Sequence, residues 1–387
     1  MKTLVLDSLL LLEFLPDSVC QLSSLETFFL LPALSCSFGE LPADFCCLTA
    51  LTTLCLGGVA LPADIGRLRN LHTLLLRDSY LSRHLPCSLS EVASLTRLEL
   101  NECDVELLPE GVWSLSNLRE LHLSYCCELT ALPASVTCLT ALEALSLADS
   151  PCLASVPTRL DGLTRLKQLE AARCDMLIRP PLVLPASIEW LSWRSSWSQK
   201  HAMALLDVST LTGLRTLRLD KVSVACGVAV SRSLSHLEHL HLNLAGVAEE
   251  LPFPLTFLSR LRTLIIDSAW SLQRLPADIG LRELHLIGCE QLEQLPASLT
   301  QLACLNKLSI RDSPIRSLCS TAAQFTRLKS LDLSGCVQLE AMPGDLSALK
   351  ALQELRLFQT RLVKDTDGSV LSRSMNEEYW RKKIVFR

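Results

Sequence analysis

The chain has 387 residues, a net charge of −5 and a hydrophobic fraction of 49%, with mean hydropathy +0.31 and a pI near 5.9. Such hydropathy raises the question of a membrane span, but charged residues interrupt every apolar run before the ~20 residues a spanning helix needs. The acidic balance, with no basic block except Arg381-Lys382-Lys383, excludes sequence-independent nucleic-acid binding, which requires a basic face.

In chain order, the first element is MKTLVLDSLLLLEFLP. Asp7 and Glu13 bracket its apolar part and no small-residue cleavage site follows, so it does not read as a signal peptide. Leu4 and Leu6 instead alternate as a strand does, and Leu15-Pro16 opens a turn. A chain that begins inside a strand lacks an N-terminal cap, so an upstream part or another covering element is expected. Further Leu-Pro or equivalent junctions follow at Pro42, Pro62, Pro86, Pro109, Pro133 and Pro157, spaced about two dozen residues apart.

The clearest unit is Leu108–Pro133, LPEGVWSLSNLRELHLSYCCELTALP. In LRELHL, Leu121 and Leu123 alternate as in a strand with one buried face. Leu108, Val112 and Leu115 recur every three to four residues and predict a short helix or 3-10 turn. One such unit cannot bury its leucines, but stacked copies can, each covering its neighbour. The repetition therefore predicts a solenoid, not the several globular domains that length alone would suggest.

The unit fades at Arg179-Pro180-Pro181. From Leu184 to Glu250 the strands persist as IEWLSW, LRTLRL and LEHLHL, but the Leu-Pro turns are lost. The pattern returns at Leu251-Pro252, with junctions at Pro276, Pro296 and Pro343 and a degenerate one at Leu318-Cys319. Roughly 15 repeats are expected over residues 1–363. Residues 364–387 then read as a C-terminal cap or tail. Its acidic start and basic end predict one helix, with Trp380 and Ile384 covering the last repeat.

Cys103, Cys126, Cys174, Cys289 and Cys336 share one position just past the strand. Buried free cysteine behaves as a small hydrophobe. One such residue per coil does not assemble a four-ligand metal site, so the 17 cysteines point to a reduced, cytoplasmic setting.

LxxLxLxxC followed by LxxLP resembles the intracellular leucine-rich repeat, and by pattern the repeats of plant and oomycete disease-resistance proteins and of Ras-group leucine-rich proteins. The resemblance implies an α/β fold: a curved horseshoe with a parallel sheet on the concave face and short helices, 3-10 turns and loops on the convex face. It also implies that the cysteine slot turns inward toward backbone groups, and that the chain is a protein-binding scaffold.

In LxxLxLxx the residues flanking the strand leucines face the concave side. The candidate protein-binding residues are Arg97, Glu99, Glu120, His122, Trp190, Arg194, Arg218, His239, His241, His285, Lys307, Arg311 and Arg356. Charges alternate between neighbours, Arg97 beside Glu120, Glu283 near Lys307 and Asp332 beside Arg356. This pattern fits either a solvated ladder or a protein surface with local charge complementarity. Trp193 takes a core leucine position. Trp190 faces the concave side and Trp197 the next loop, as packing or as an interface anchor.

His239 and His241 share a face, but no carboxylate or thiol is expected to complete a metal set with them. His122 beside Glu99 is the one acid–base juxtaposition, without a nucleophile. No phosphate-binding glycine loop, Walker lysine or serine elbow occurs. The expectation is a non-enzymatic recognition module with no cofactor or metal, a monomer or part of a larger complex, engaging neither nucleic acid nor membrane. It would serve signalling or defence. The alternative is a substrate adaptor or regulatory subunit of a ubiquitin ligase or phosphatase complex.

Overall fold

The computed structural model describes residues 1–8, 12–31, 39–78, 84–174, 176–177, 183–194, 206–220, 232–244, 255–268, 280–294, 299, 302–316, 325–339, 349–360 and, in backbone, 384–385. The Leu-Pro junctions at Pro252, Pro276, Pro296 and Pro343, the Leu318-Cys319 turn, and Trp197 and Trp380 lie outside these residues. The chain divides into two compact units, Met1–Asp207 and Val208–Arg387. The division falls inside the stretch where the sequence loses its Leu-Pro turns.

The first unit carries β1 (Thr3–Asp7), β2 (Thr27–Leu31), β3 (Thr53–Gly57), β4 (Thr73–Arg77), β5 (Arg97–Asn101), β6 (Glu120–Ser124), β7 (Ala144–Ser146), β8 (Gln168–Ala171) and β9 (Trp190–Arg194). Each pairs in parallel with the next, one strand per coil. Register places like repeat positions side by side, as in Leu98↔Leu121 and Leu100↔Leu123. In β5 and β6 buried and half-buried residues alternate strictly. One face thus packs the leucines of every coil into a continuous core, and the other stays open.

The second unit repeats the design with β10 (Thr216–Asp220), β11 (His239–Asn243), β12 (Thr263–Asp267), β13 (Glu283–Ile287), β14 (Lys307–Arg311), β15 (Ser330–Asp332) and β16 (Glu354–Arg356), again parallel and in sequence order. The strands expected at IEWLSW, LRTLRL and LEHLHL are β9, β10 and β11. Near the C-terminus the charge pattern predicts a helix, but Ile384–Val385 is a two-residue strand, β17, that pairs in parallel with β16. An open strand edge offers unpaired N–H and C=O groups, and pairing there outweighs a dipole preference of a few tenths of a kcal/mol.

The Leu-Pro junction starts the return of the coil. Pro16, Pro86, Pro109 and Pro133 each precede a 3-10 turn: Asp17–Gln21, Cys87–Glu91, Glu110–Ser114 and Ala134–Cys138. Proline holds φ near the required value and has no N–H to leave unpaired at a helix start. Its carbonyl accepts from the amide three residues on, as in Val112 N to Pro109 O at 2.9 Å. Val112 and Leu115 are buried beneath the turn.

One residue in almost every coil adopts a left-handed backbone just past the strand. It is glycine at Gly58, Gly288 and Gly335, but Ser8, Asp78, Glu102, Tyr125, Asp149, Arg173, Ser268, Asp312 and Gln359 hold the same conformation with φ between 49° and 59°. A side chain there costs about 1–2 kcal/mol, which the stacked coils on either side enforce. The next residue turns inward as Val59, Cys103, Cys126, Ser150, Cys174, Cys289, Ser313, Cys336 or Thr360.

At Gly58 an added Cβ would meet only Asp78 O at 3.9 Å, but at Gly335 it would collide with the Asp312 carboxylate. Gly58→Ala is therefore expected to lower unfolding free energy by about 1 kcal/mol through backbone strain alone. Gly335→Ala should cost measurably more, as read by urea denaturation of the two variants.

Candidate functional site

The open face of the first unit is built by the residues flanking each buried leucine pair. Arg97, Glu99, Glu120 and His122, predicted from the repeat register, are brought together on β5 and β6. Arg97 Nη1 lies 2.6 Å from Glu120 Oε2 and its Nη2 2.9 Å from Glu99 Oε2, with Arg77 Nη2 3.7 Å from Glu99 Oε1. His122 Nε2 lies 3.4 Å from Glu120 Oε2. Register sets His122 opposite Glu99, but Glu99 is engaged by the two arginines. The acid–base neighbour of His122 is therefore Glu120 on its own strand, not Glu99. Hydrogen bonds to Glu99, with desolvation working against them and the charge of Glu120 reinforcing them, raise the Arg97 pKa.

Beside this row the face drops into a shallow depression of about 170 Å³, lined by His122, Ala144, Leu145, Ser146, Gln168, Glu170 and Trp190. The floor exists because β7 presents Ala144 and Ser146 where its neighbours present longer side chains. Register continues the rows through Glu120↔Ala144↔Gln168↔Trp190 and His122↔Ser146↔Glu170↔Ser192. Ser146 Oγ donates to Glu170 Oε2 at 3.1 Å and lies 3.4 Å from Ser124 Oγ. Trp190 is half-buried on this face and Trp193 is buried on the other, with 2% exposure. Arg194, half-buried, closes β9.

The second unit holds Arg218, His239, His241, His285, Lys307, Arg311 and Arg356. Arg218, His239, Lys307, Arg311 and Arg356 are exposed on their strands. His241 Nε2 is 2.7 Å from Asp267 Oδ2, so a carboxylate stands beside one of the two β11 histidines. It comes from the end of β12, where Asn243 and Asp267 share register. Among the described residues no group of three or more metal-ligating side chains forms.

His285 lies 3.6 Å from Glu283, which also faces Lys307 at 4.0 Å. Burial, and then the Lys307 charge, push its pKa below the usual histidine value. Arg356 does not pair with Asp332 as its register suggests. It lies 2.6 Å from Glu354 on its own strand, while Asp332 Oδ1 accepts from the Ser334 amide and hydroxyl. These pairs are surface interactions worth ~0–1 kcal/mol each.

The cysteine slot turns inward as the resemblance implied. Cys103 Sγ lies 3.6 Å from Leu76 O, Cys126 Sγ 3.7 Å from Leu100 O, Cys174 Sγ 2.9 Å from Leu147 O and Cys336 Sγ 3.2 Å from Ile310 O. Burial pushes the Cys126 thiol up to about 12 and that of Cys336 to about 11, so both stay protonated. The left-handed corner before this slot escaped the sequence reading. Its outer side chains form a second row, in which Arg173 meets Asp149 at 2.6 Å and Tyr125 is 44% exposed. The signal was present in Gly288-Cys289 and Gly335-Cys336, where glycine precedes the recurring slot.

Among the described residues, no helix is long and apolar enough to cross a membrane. No protein-family model matches the chain, and no curated protein matches it in sequence. Solved structures do match in fold. A leucine-rich-repeat protein of Leptospira interrogans superposes with a TM-score of 0.55 at 19% identity, over 98% of this chain and 96% of its own. The functional domain of InlJ from Listeria monocytogenes, which includes a cysteine ladder, gives 0.54 at 18% identity, over 88% of this chain and 69% of its own. The parallel one-strand coils, the leucine core and these likenesses together make the fold a leucine-rich-repeat solenoid.

Proposed function

We propose that the chain is a non-enzymatic scaffold that recognises a protein partner through the open face of its parallel sheet. The observation that carries this reading is that face itself. Parallel sheets ordinarily have both faces covered, yet here β5, β6 and β9 leave part of one face to solvent, where Arg97, Glu99, Glu120, His122 and Trp190 stand half-buried. The row from Arg77 to His122 mixes both signs within a few ångströms, which suits a protein surface of matching charges better than a polyphosphate. Trp190 at the edge of the depression supplies the aromatic anchor that interface hot spots favour. The leucine-rich-repeat proteins of similar fold support a protein-interaction role.

A role in intracellular signalling or defence follows from the resemblance of LxxLxLxxC to the repeats of disease-resistance and Ras-group proteins. Inert buried thiols such as Cys126 suit a reducing, cytoplasmic setting. In this reading the chain works as a monomer or within a larger complex. The adaptor alternative needs a docking element in residues 364–387. The pairing of β17 with β16 favours a covering role for that tail.

Affinity purification with the intact chain, followed by titration of the recovered partner against Trp190→Ala and Arg97→Glu, tests the proposal. A loss of roughly thirtyfold or more in affinity for Trp190→Ala is expected of a central anchor. If the partner binds both variants as tightly as the parent, the sheet face is not the interface.

A further inference from the structure

We infer that the depression between β6 and β9 is a subsite for one cationic side chain, a lysine or arginine carried by the docking protein. This rests on the reading of the sheet face as a recognition surface and adds the chemistry of the contact.

Size comes first. About 170 Å³ falls short of the ~300–1,000 Å³ of pockets for cofactors and drug-sized ligands, and admits a single long side chain. Charge comes next. On the neighbouring strands the acidic residues are already matched, Glu99 by Arg77 and Arg97, and Glu120 by Arg97. Glu170 differs. Its Oε2 takes a hydrogen bond from Ser146 Oγ, and no lysine or arginine among the described residues stands within ion-pair distance of it.

Trp190 lines the depression as well, and the face of an indole attracts a cation electrostatically. Gln168 stands beside Trp190 in register and adds an amide oxygen as a further acceptor. An acidic side chain entering here would meet Glu170. An apolar one would strip water from Glu170 and give nothing back, a costly exchange for a charge. A cation suits both Glu170 and Trp190, and its methylene stem can cover Ala144 and Leu145, which also line the depression.

The test uses the intact chain and defined probes. Blocked pentapeptides with a central lysine, arginine, leucine or glutamate between glycines are titrated while the tryptophan indole N–H resonances are followed by NMR. Trp190→Phe identifies the Trp190 signal. That signal is expected to move saturably with the lysine and arginine peptides only. Glu170→Gln, a surface substitution of equal size, should weaken the response roughly three- to tenfold. Equal movement with the leucine peptide, no movement with either cation, or indifference to Glu170→Gln would each overturn the inference. The wider reading is judged separately by the partner titration, which can still depend on Trp190 if the subsite takes some other side chain.

Discussion

Trp193→Ala is expected to destabilise the first unit by about 4 kcal/mol, within the ~3–5 kcal/mol range for emptying a buried aromatic site. Trp193 stands where successive coils carry Leu100, Leu123 and Leu147, and it is 2% exposed. A tryptophan fits a leucine position only if a neighbour gives way, and the neighbour in register is Ala171, on β8, itself fully buried. Large and small exchange across the two strands at nearly constant volume, which cores tolerate.

Trp193→Leu alone should therefore leave a void, and Ala171→Leu alone should overpack by ~1–3 kcal/mol. The double variant restores the ordinary leucine pair and should recover most of both losses, a favourable coupling of more than ~1 kcal/mol in the cycle. Trp190→Ala, half-buried on the open face, should change stability by less than about 1 kcal/mol. Repeat arrays need not unfold in a single step, so amide hydrogen exchange across β8 and β9 is the direct readout, with urea denaturation beside it. A Trp193→Ala loss no larger than that of Trp190→Ala would dismiss the volume argument.

The two tryptophans of β9 also show how far sequence reasoning reaches here. Which of them is core and which faces outward follows from the period of two along IEWLSW, and the structure agrees. The same arithmetic placed Leu98, Leu100, Leu121 and Leu123 inside and Arg97, Glu120 and His122 outside. What it could not supply was the choice of partner among side chains of similar reach. His122 turns to Glu120 and not Glu99 because two arginines already hold Glu99. Arg356 prefers Glu354 because Asp332 bends back to Ser334.

The depression was invisible for a related reason. Ala144 and Ser146 look bland in a pattern, and only their position between His122 and Trp190 makes them a floor. The C-terminal strand is a further limit. A helix dipole can be read from charges within one segment, but a free edge at β16 belongs to residues some thirty positions earlier in the chain.

Ser150→Ala should cost about 2 kcal/mol, although it removes only one oxygen atom. The left-handed corner at Asp149 turns Ser150 inward to full burial. There its Oγ donates to Leu123 O at 3.1 Å and accepts from the Cys126 amide at 3.3 Å. Alanine would leave a carbonyl and an N–H of the preceding coil without that partner, and a buried unsatisfied group costs ~1–3 kcal/mol. Ser313 repeats half of the arrangement in the second unit: it accepts from the Cys289 amide of the preceding coil at 3.1 Å, but donates within its own coil, to Arg311 O at 2.9 Å.

In several coils the slot therefore holds a small side chain with a hydrogen to donate, which both serine and cysteine satisfy. A Cys-only reading of the slot misses the serine coils. Ser150→Cys should recover more than half of the alanine loss, since the thiol keeps a donor near Leu123 O while fitting the same space. Val59 fills the corresponding position of an earlier coil at 1% exposure, which sets up the discriminating experiment. If Ser150→Val is as stable as Ser150→Cys in urea denaturation, the slot selects volume alone. If valine behaves like alanine, the bond across coils is what the position contributes.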